Sequence, residues 1–122
     1  MAIYIEINGI QYPASITGRI NDKDWNDRAS KTITVKMSYH DAISIFVDNV
    51  NWSIIEDVEE TVEYVDAETN TVMFKTITRQ EFYDNSDYSI AGDIIDHRDG
   101  HISVKMGRPT AEEILSMLEE VL

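Results

Sequence analysis

Two short stretches concentrate the residue types that do chemistry. "DHRDGH", Asp96 to His101, puts two imidazoles and two carboxylates into six residues, the makings of a metal-ligand set. "NDKDWND", Asn21 to Asp27, sets Asp22, Asp24 and Asn26 at the alternating spacing of a calcium loop. Local geometry argues against both. Asp99-Gly100 is a hairpin-turn signal that is expected to pair Arg98 with His101 and His97 with Ile102. His97 then shares a face with Ile95, Ile102 and Val104, while His101 lies on the opposite face, so the imidazoles cannot hold one ion. In the calcium-loop frame, Asp27 occupies the position that needs glycine and Ile33 the position that needs a bidentate Glu.

Other equipment for catalysis is sparse. The chain has no cysteine, which excludes disulfides and thiolate metal sites. It has no Gly-x-Ser-x-Gly elbow, no phosphate-binding glycine loop and no His-Glu-x-x-His. His40 is expected in the first turn of a helix, facing solvent. The expectation is a protein that is not an enzyme, with no catalytic residue, no metal and no cofactor.

The elements that carry these stretches come from a repeated phrase. "SITGRI" at Ser15–Ile20 and "ITVKM" at Ile33–Met37 recur in the same order as "SIAGDI" at Ser89–Ile94 and "ISVKM" at Ile102–Met106. The second copy follows by 74 residues at the first motif, Ser15 to Ser89, and by 69 at the second, Ile33 to Ile102, so the first copy carries the longer loop. Each copy leads into an amphipathic helix. Ser38 caps one, with Tyr39, Ala42, Ile43, Phe46 and Val50 on its apolar stripe; Thr110 caps the other, with Glu113 completing a capping box and Ala111, Ile114, Leu115, Leu118 and Leu122 as its stripe. Asn8-Gly9 predicts a type I′ hairpin between "IYIEI" and "IQYPASI". "WSIIEDVEETVEYV" alternates Trp52, Ile54, Val58, Val62 and Tyr64 with mostly polar neighbours, a strand period, and "TVMFKTITRQEFY" reads as its partner. The predicted fold is α+β: a mainly antiparallel sheet of about seven strands with two amphipathic helices. One domain over 1–122 is expected, with pseudo-twofold repeat halves near 1–51 and 62–122.

Charge bounds the partners. Ten basic residues against 23 acidic ones give a net charge of −13, and no Lys or Arg lies between Lys36 and Lys75. Phosphate backbones and anionic lipid repel such a chain, so neither direct nucleic-acid binding nor membrane binding is expected. Glu56, Asp57, Glu59, Glu60, Glu63 and Asp66 form a candidate acidic face for a basic protein partner; a solvated, solubilising face is the plainer account. Trp25, in a charged loop, and Tyr83 and Tyr88, flanking "DNSD", are candidate aromatic anchors, or else fold back over the core edge. The opening segment lacks the basic start and apolar block of a secretion signal, so a cytoplasmic protein is expected.

From Glu81 to Glu120, "EFYDNSDYSIAGDIIDHRDGHISVKMGRPTAEEILSMLEE" resembles small uncharacterised proteins of prophage regions in gut Firmicutes, and "WSII" at Trp52–Ile55 resembles them more loosely. The resemblance implies a phage-type protein made inside the host cell, compatible with the virion, and brings no catalytic residue with it. Two functional expectations follow. The first is a non-enzymatic structural or protein-interaction module that works through folded surfaces, a second copy of the chain being one partner to consider. The second is an acidic nucleic-acid mimic that inhibits a basic host protein.

Overall fold

The computed structural model describes residues 2–121. It is an α+β protein: seven strands form one antiparallel sheet, accompanied by two helices. The strands are β1 (Ile3–Ile7), β2 (Ile10–Asp22), β3 (Arg28–Lys36), β4 (Trp52–Val65), β5 (Val72–Asp84), β6 (Ile90–Asp96) and β7 (His101–Gly107). Across the sheet they run β5-β4-β1-β2-β3-β7-β6.

Local chemistry sets the connections. Asn8 and Gly9 both take positive φ, 55° and 78°, and Ile7 pairs with Ile10, which is the two-residue turn that Asn-Gly favours. Helix α1 (Tyr39–Ile45) starts where the Ser38 hydroxyl accepts the Asp41 N–H at 3.1 Å. Helix α2 (Ala111–Val121) starts with a reciprocal box: Thr110 N–H donates to Glu113 Oε1 at 2.9 Å, and Glu113 N–H donates to Thr110 Oγ1 at 3.3 Å.

One face of the sheet carries the core. Ile5, Ile7, Ile33, Val35, Ile102, Val104, Met106 and Trp52 pack there beneath Ala42 and Phe46 of the α1 region. Each such side chain contributes roughly 1.5–3 kcal/mol by leaving water. Trp52 also donates Nε1–H to the Tyr88 carbonyl at 3.1 Å, which satisfies its one polar atom. The two "I-T/S-V-K" strands pair with each other, β3 with β7, and Thr34 stands opposite Ser103 with their hydroxyls 2.8 Å apart.

Several expectations are corrected here. α1 is only seven residues long and buries Ala42 with Phe46 at its end, leaving Tyr39 and Ile43 exposed, because the chain turns away at Phe46. The apolar stripe of α2 forms but covers nothing: Ile114, Leu115, Met117 and Leu118 are 47–58% exposed. Leu122 lies outside the described residues. The DHRDGH turn holds three residues rather than two. Asp96 pairs with Ile102, and His97 N–H donates to the His101 carbonyl, so Arg98, Asp99 and Gly100 form the loop, with positive φ at Arg98 and Gly100. That extra residue puts His97 and His101 opposite each other rather than on opposite faces.

The two edges of the sheet differ. The outer side of β6 is covered where Asp48 accepts the Ala91 N–H at 2.8 Å and the Asn49 N–H donates to the Ser89 carbonyl at 2.7 Å. A register shift between Ala91 and Ile94 breaks it further. β5 is 13 residues long and has β4 as its one neighbour. β1 pairs only with Ile3-to-Ile7 partners Glu56 to Trp52 of β4, so the remainder of β4 and the facing half of β5 project as a two-stranded arm.

Candidate interaction surfaces

The arm carries the acidic residues, and its pleat divides them. Directly opposite residues of an antiparallel pair share a face, and neighbours alternate. Glu56 and Glu60 lie on the core-side face of β4 with Ile54, Val58, Val62 and Tyr64; Asp57, Glu59 and Glu63 lie on the other, and Asp66 sits in the turn beyond. The six carboxylates therefore do not form one surface. On the core-side face Arg79 Nε donates to Glu60 at 2.9 Å and its NH1 lies 2.7 Å from Glu81, which also accepts the Tyr83 hydroxyl. The Tyr83 bond and then Arg79 hold the Glu81 carboxyl below its usual range, and the pairs raise the Arg79 guanidinium. On the other face Asp57 accepts a long bond from Gln80 at 3.4 Å, while Glu59 stands opposite Thr78 and Glu63 opposite Phe74. Asp66 accepts the Glu68 N–H at 2.9 Å and shapes the turn.

The three aromatics separate as well. Trp25 is half-buried in a notch that exists because Gly92 and Gly107 lack side chains: a Cβ on either would come within about 3.0 Å of the indole. The Arg28 guanidinium sits 4.7 Å from the indole centroid. Tyr88 is half-buried too, its ring taking Lys31 at 4.5 Å and Arg108 at 4.9 Å. Tyr83 alone of the three is exposed, on the arm.

Asp22 is fully buried. Its carboxylate accepts Lys105 Nζ at 2.8 Å, Ser30 Oγ at 3.0 Å and the Asp24 N–H at 3.1 Å, and it caps the short 3-10 turn Lys23–Trp25. The Lys105 bond, against the opposing effect of burial, holds this carboxyl below its usual range. Asp22 is thus a structural anchor between β2, β3 and β7, facing Lys105 rather than Asp24's carboxylate. In the second stretch, His97 Nε2 is 2.7 Å from Ser103 Oγ, and His101 Nδ1 is 3.4 Å from Asp99. Among the described residues no group of three or more His, Asp or Glu side chains is arranged to hold a metal ion.

Sequence reasoning missed two features. Arg28, 5% exposed, reaches Glu113 Oε1 at 2.5 Å and the Arg108 carbonyl at 3.0 Å. With the Thr110 box this clamp attaches α2 to the sheet, and it lowers the Glu113 carboxyl. Nothing in a lone Arg announces a partner 85 residues away. The second is the apolar character of β5 on both faces. Val72, Phe74 and Phe82 lie on one side, Met73, Ile77 and Tyr83 on the other, and all are exposed. Apolar residues on both parities of one strand were a visible signal for a strand to be covered twice.

Among the described residues no helix is long and apolar enough to cross a membrane. No protein-family model matches the chain, and no curated protein and no solved structure is significantly similar to it.

Proposed function

We propose that this chain is a non-enzymatic, phage-type structural or protein-interaction module that works by presenting folded surfaces to protein partners. The observation that carries the reading is uncovered apolar surface on two projecting elements. Of the described α2 side chains, only Glu113 is even half-buried. An 11-residue helix is marginal alone in water, and so is a two-stranded ribbon. Both elements gain most when another surface covers them. The phage context rests on the resemblance over Glu81–Glu120, and with it go synthesis in the host cytoplasm and a place in the virion. The internal duplication belongs to the same proposal, supported by the β3–β7 pairing that sets Thr34 opposite Ser103.

The test is native mass by light scattering at low and high salt. Assembly that survives high salt and is lost on Leu118→Lys or Phe74→Lys supports the module, since apolar contacts are insensitive to screening. A monomer at every salt and concentration, in which neither substitution changes any binding, overturns it. The acidic-inhibitor reading keeps one supporting observation: Asp57, Glu59 and Glu63 share a face of the arm. It requires affinity for a basic protein that falls steeply with salt and disappears when these three become Gln and Asn.

A further inference from the structure

We infer that β5 is the docking edge and that its occupant is β5 of a second copy, added antiparallel with Thr78 on a twofold axis. The inference rests on the interaction-module reading and names its partner.

The backbone shows which groups are available. Asp66 N–H donates to the Thr71 carbonyl, and Asn85 N–H to the Trp52 carbonyl, at the two ends of the β4–β5 ladder. Antiparallel pairs alternate between bonded and non-bonded, so between those ends the odd-numbered residues of β5 bond to β4. The even-numbered residues from Val72 to Asp84 therefore direct their N–H and C=O groups outward, along an edge with no charged cap like that over β6.

The side chains are arranged as a self-complementary set about Thr78. With β5 laid antiparallel on itself in full overlap, Phe74 stands opposite Phe82 of the second copy on one face. Lys75 stands opposite Glu81 of the second copy on the other, and each contact occurs twice. Lys75 has no carboxylate within ion-pair distance among the described residues; it lies 5.3 Å from the Tyr64 ring centroid. Phe74 is 63% and Phe82 56% exposed, so both have apolar area to lose. Neighbouring registers are worse. A slip of the twofold to residue 77 sets Lys75 against Arg79, and a slip to residue 79 sets Arg79 against itself, like charges in both cases.

The geometry also repairs the arm. The half of β5 near Val72 projects with β4 as its one neighbour, while the half near Asp84 pairs with the part of β4 that β1 supports. Full antiparallel overlap lays each projecting half on the anchored half of the other copy.

Because the chain has no cysteine, Thr78→Cys in the full-length protein reads the register directly. A bonded antiparallel pair sets Cα atoms about 5.5 Å apart, within disulfide reach. Under mild oxidation Thr78→Cys should give covalent dimer. Thr76→Cys alone should not, whereas a mixture of Thr76→Cys and Gln80→Cys should. Lys75→Glu and Glu81→Lys should each raise the dimer dissociation constant about tenfold, and the double exchange should recover most of it. Assembly seen by light scattering with no Thr78→Cys cross-link, or with Thr76→Cys linking to itself, overturns the β5 twofold and leaves the module reading standing. A protein that is monomeric and uncross-linked throughout, with no salt-stable assembly of any kind, removes both.

Discussion

Replacing Gly107 by alanine measures how rigidly Trp25 and Arg28 are held. A Cβ at this position would lie 2.3 Å from Arg28 Cδ and 2.8 Å from the nearest Trp25 carbon, against the 3.5–4.0 Å at which carbon atoms attract. A long side chain could ordinarily swing away, but Arg28 is fixed at its far end by Glu113 and the Arg108 carbonyl. Trp25 is wedged against Gly92 on its other side. The added methyl therefore has no inexpensive escape, and the cost should fall in the upper part of the overpacking range, about 2–3 kcal/mol. For a chain of this size that lowers the unfolding midpoint by roughly 8–12 °C. Gly18→Ala is the control: its Cβ would meet only the Ser30 carbonyl oxygen at 3.9 Å, ordinary contact, so it should be neutral or stabilising by up to about 1 kcal/mol. Urea melts followed by circular dichroism separate the two. A Gly107→Ala protein within about 0.5 kcal/mol of the parent would refute the rigid Trp25–Arg28 wedge.

Three further outcomes are expected. Trp52→Ala should cost about 3–5 kcal/mol in urea melts, since it empties a buried site and removes the donor to the Tyr88 carbonyl. Asp22→Asn should destabilise the fold at neutral pH. Because the folded Asp22 carboxyl titrates below its usual value, its contribution is complete above that value and is lost as pH falls through the folded one. The gap between the parent and Asp22→Asn should thus close below about pH 4, as melts across an acid series would show. Leu118→Lys should leave the melting midpoint of dilute protein within about 0.5 kcal/mol, whereas Ile33→Ala should cost about 2–5 kcal/mol.

Local rules carried much of the fold. Asn8-Gly9, the Ser38 cap and the Thr110–Glu113 box each act within four residues, and each appears where its chemistry places it. The strand periods of β3, β4 and β7 were equally legible. What escaped the sequence depends on groups far apart in it. The apolar stripe of α2 says which face avoids water and nothing of what covers it. Asp22 looked like a cation ligand until Lys105, 83 residues away, took its carboxylate. One residue in the 97–101 turn reversed the relation of two histidines, since strand faces alternate and a single extra position inverts every assignment beyond it. The acidic run failed as a single face for the same reason: consecutive charges on a strand point apart.

The unequal edges of the sheet set the arithmetic of growth. A sheet with two open edges can accept a strand on each side, and every addition leaves a fresh edge behind, which is how filaments begin. Here Asp48 and Asn49 close the β6 side. Whatever strand joins at β5, the molecule has a valence of one in this direction, and if the newcomer is an identical chain its own closed side faces outward. Sheet extension then stops at a pair. A long, apolar, exposed strand can persist in such a protein without seeding indefinite aggregation, because two side-chain contacts at the far end of the sheet terminate the series.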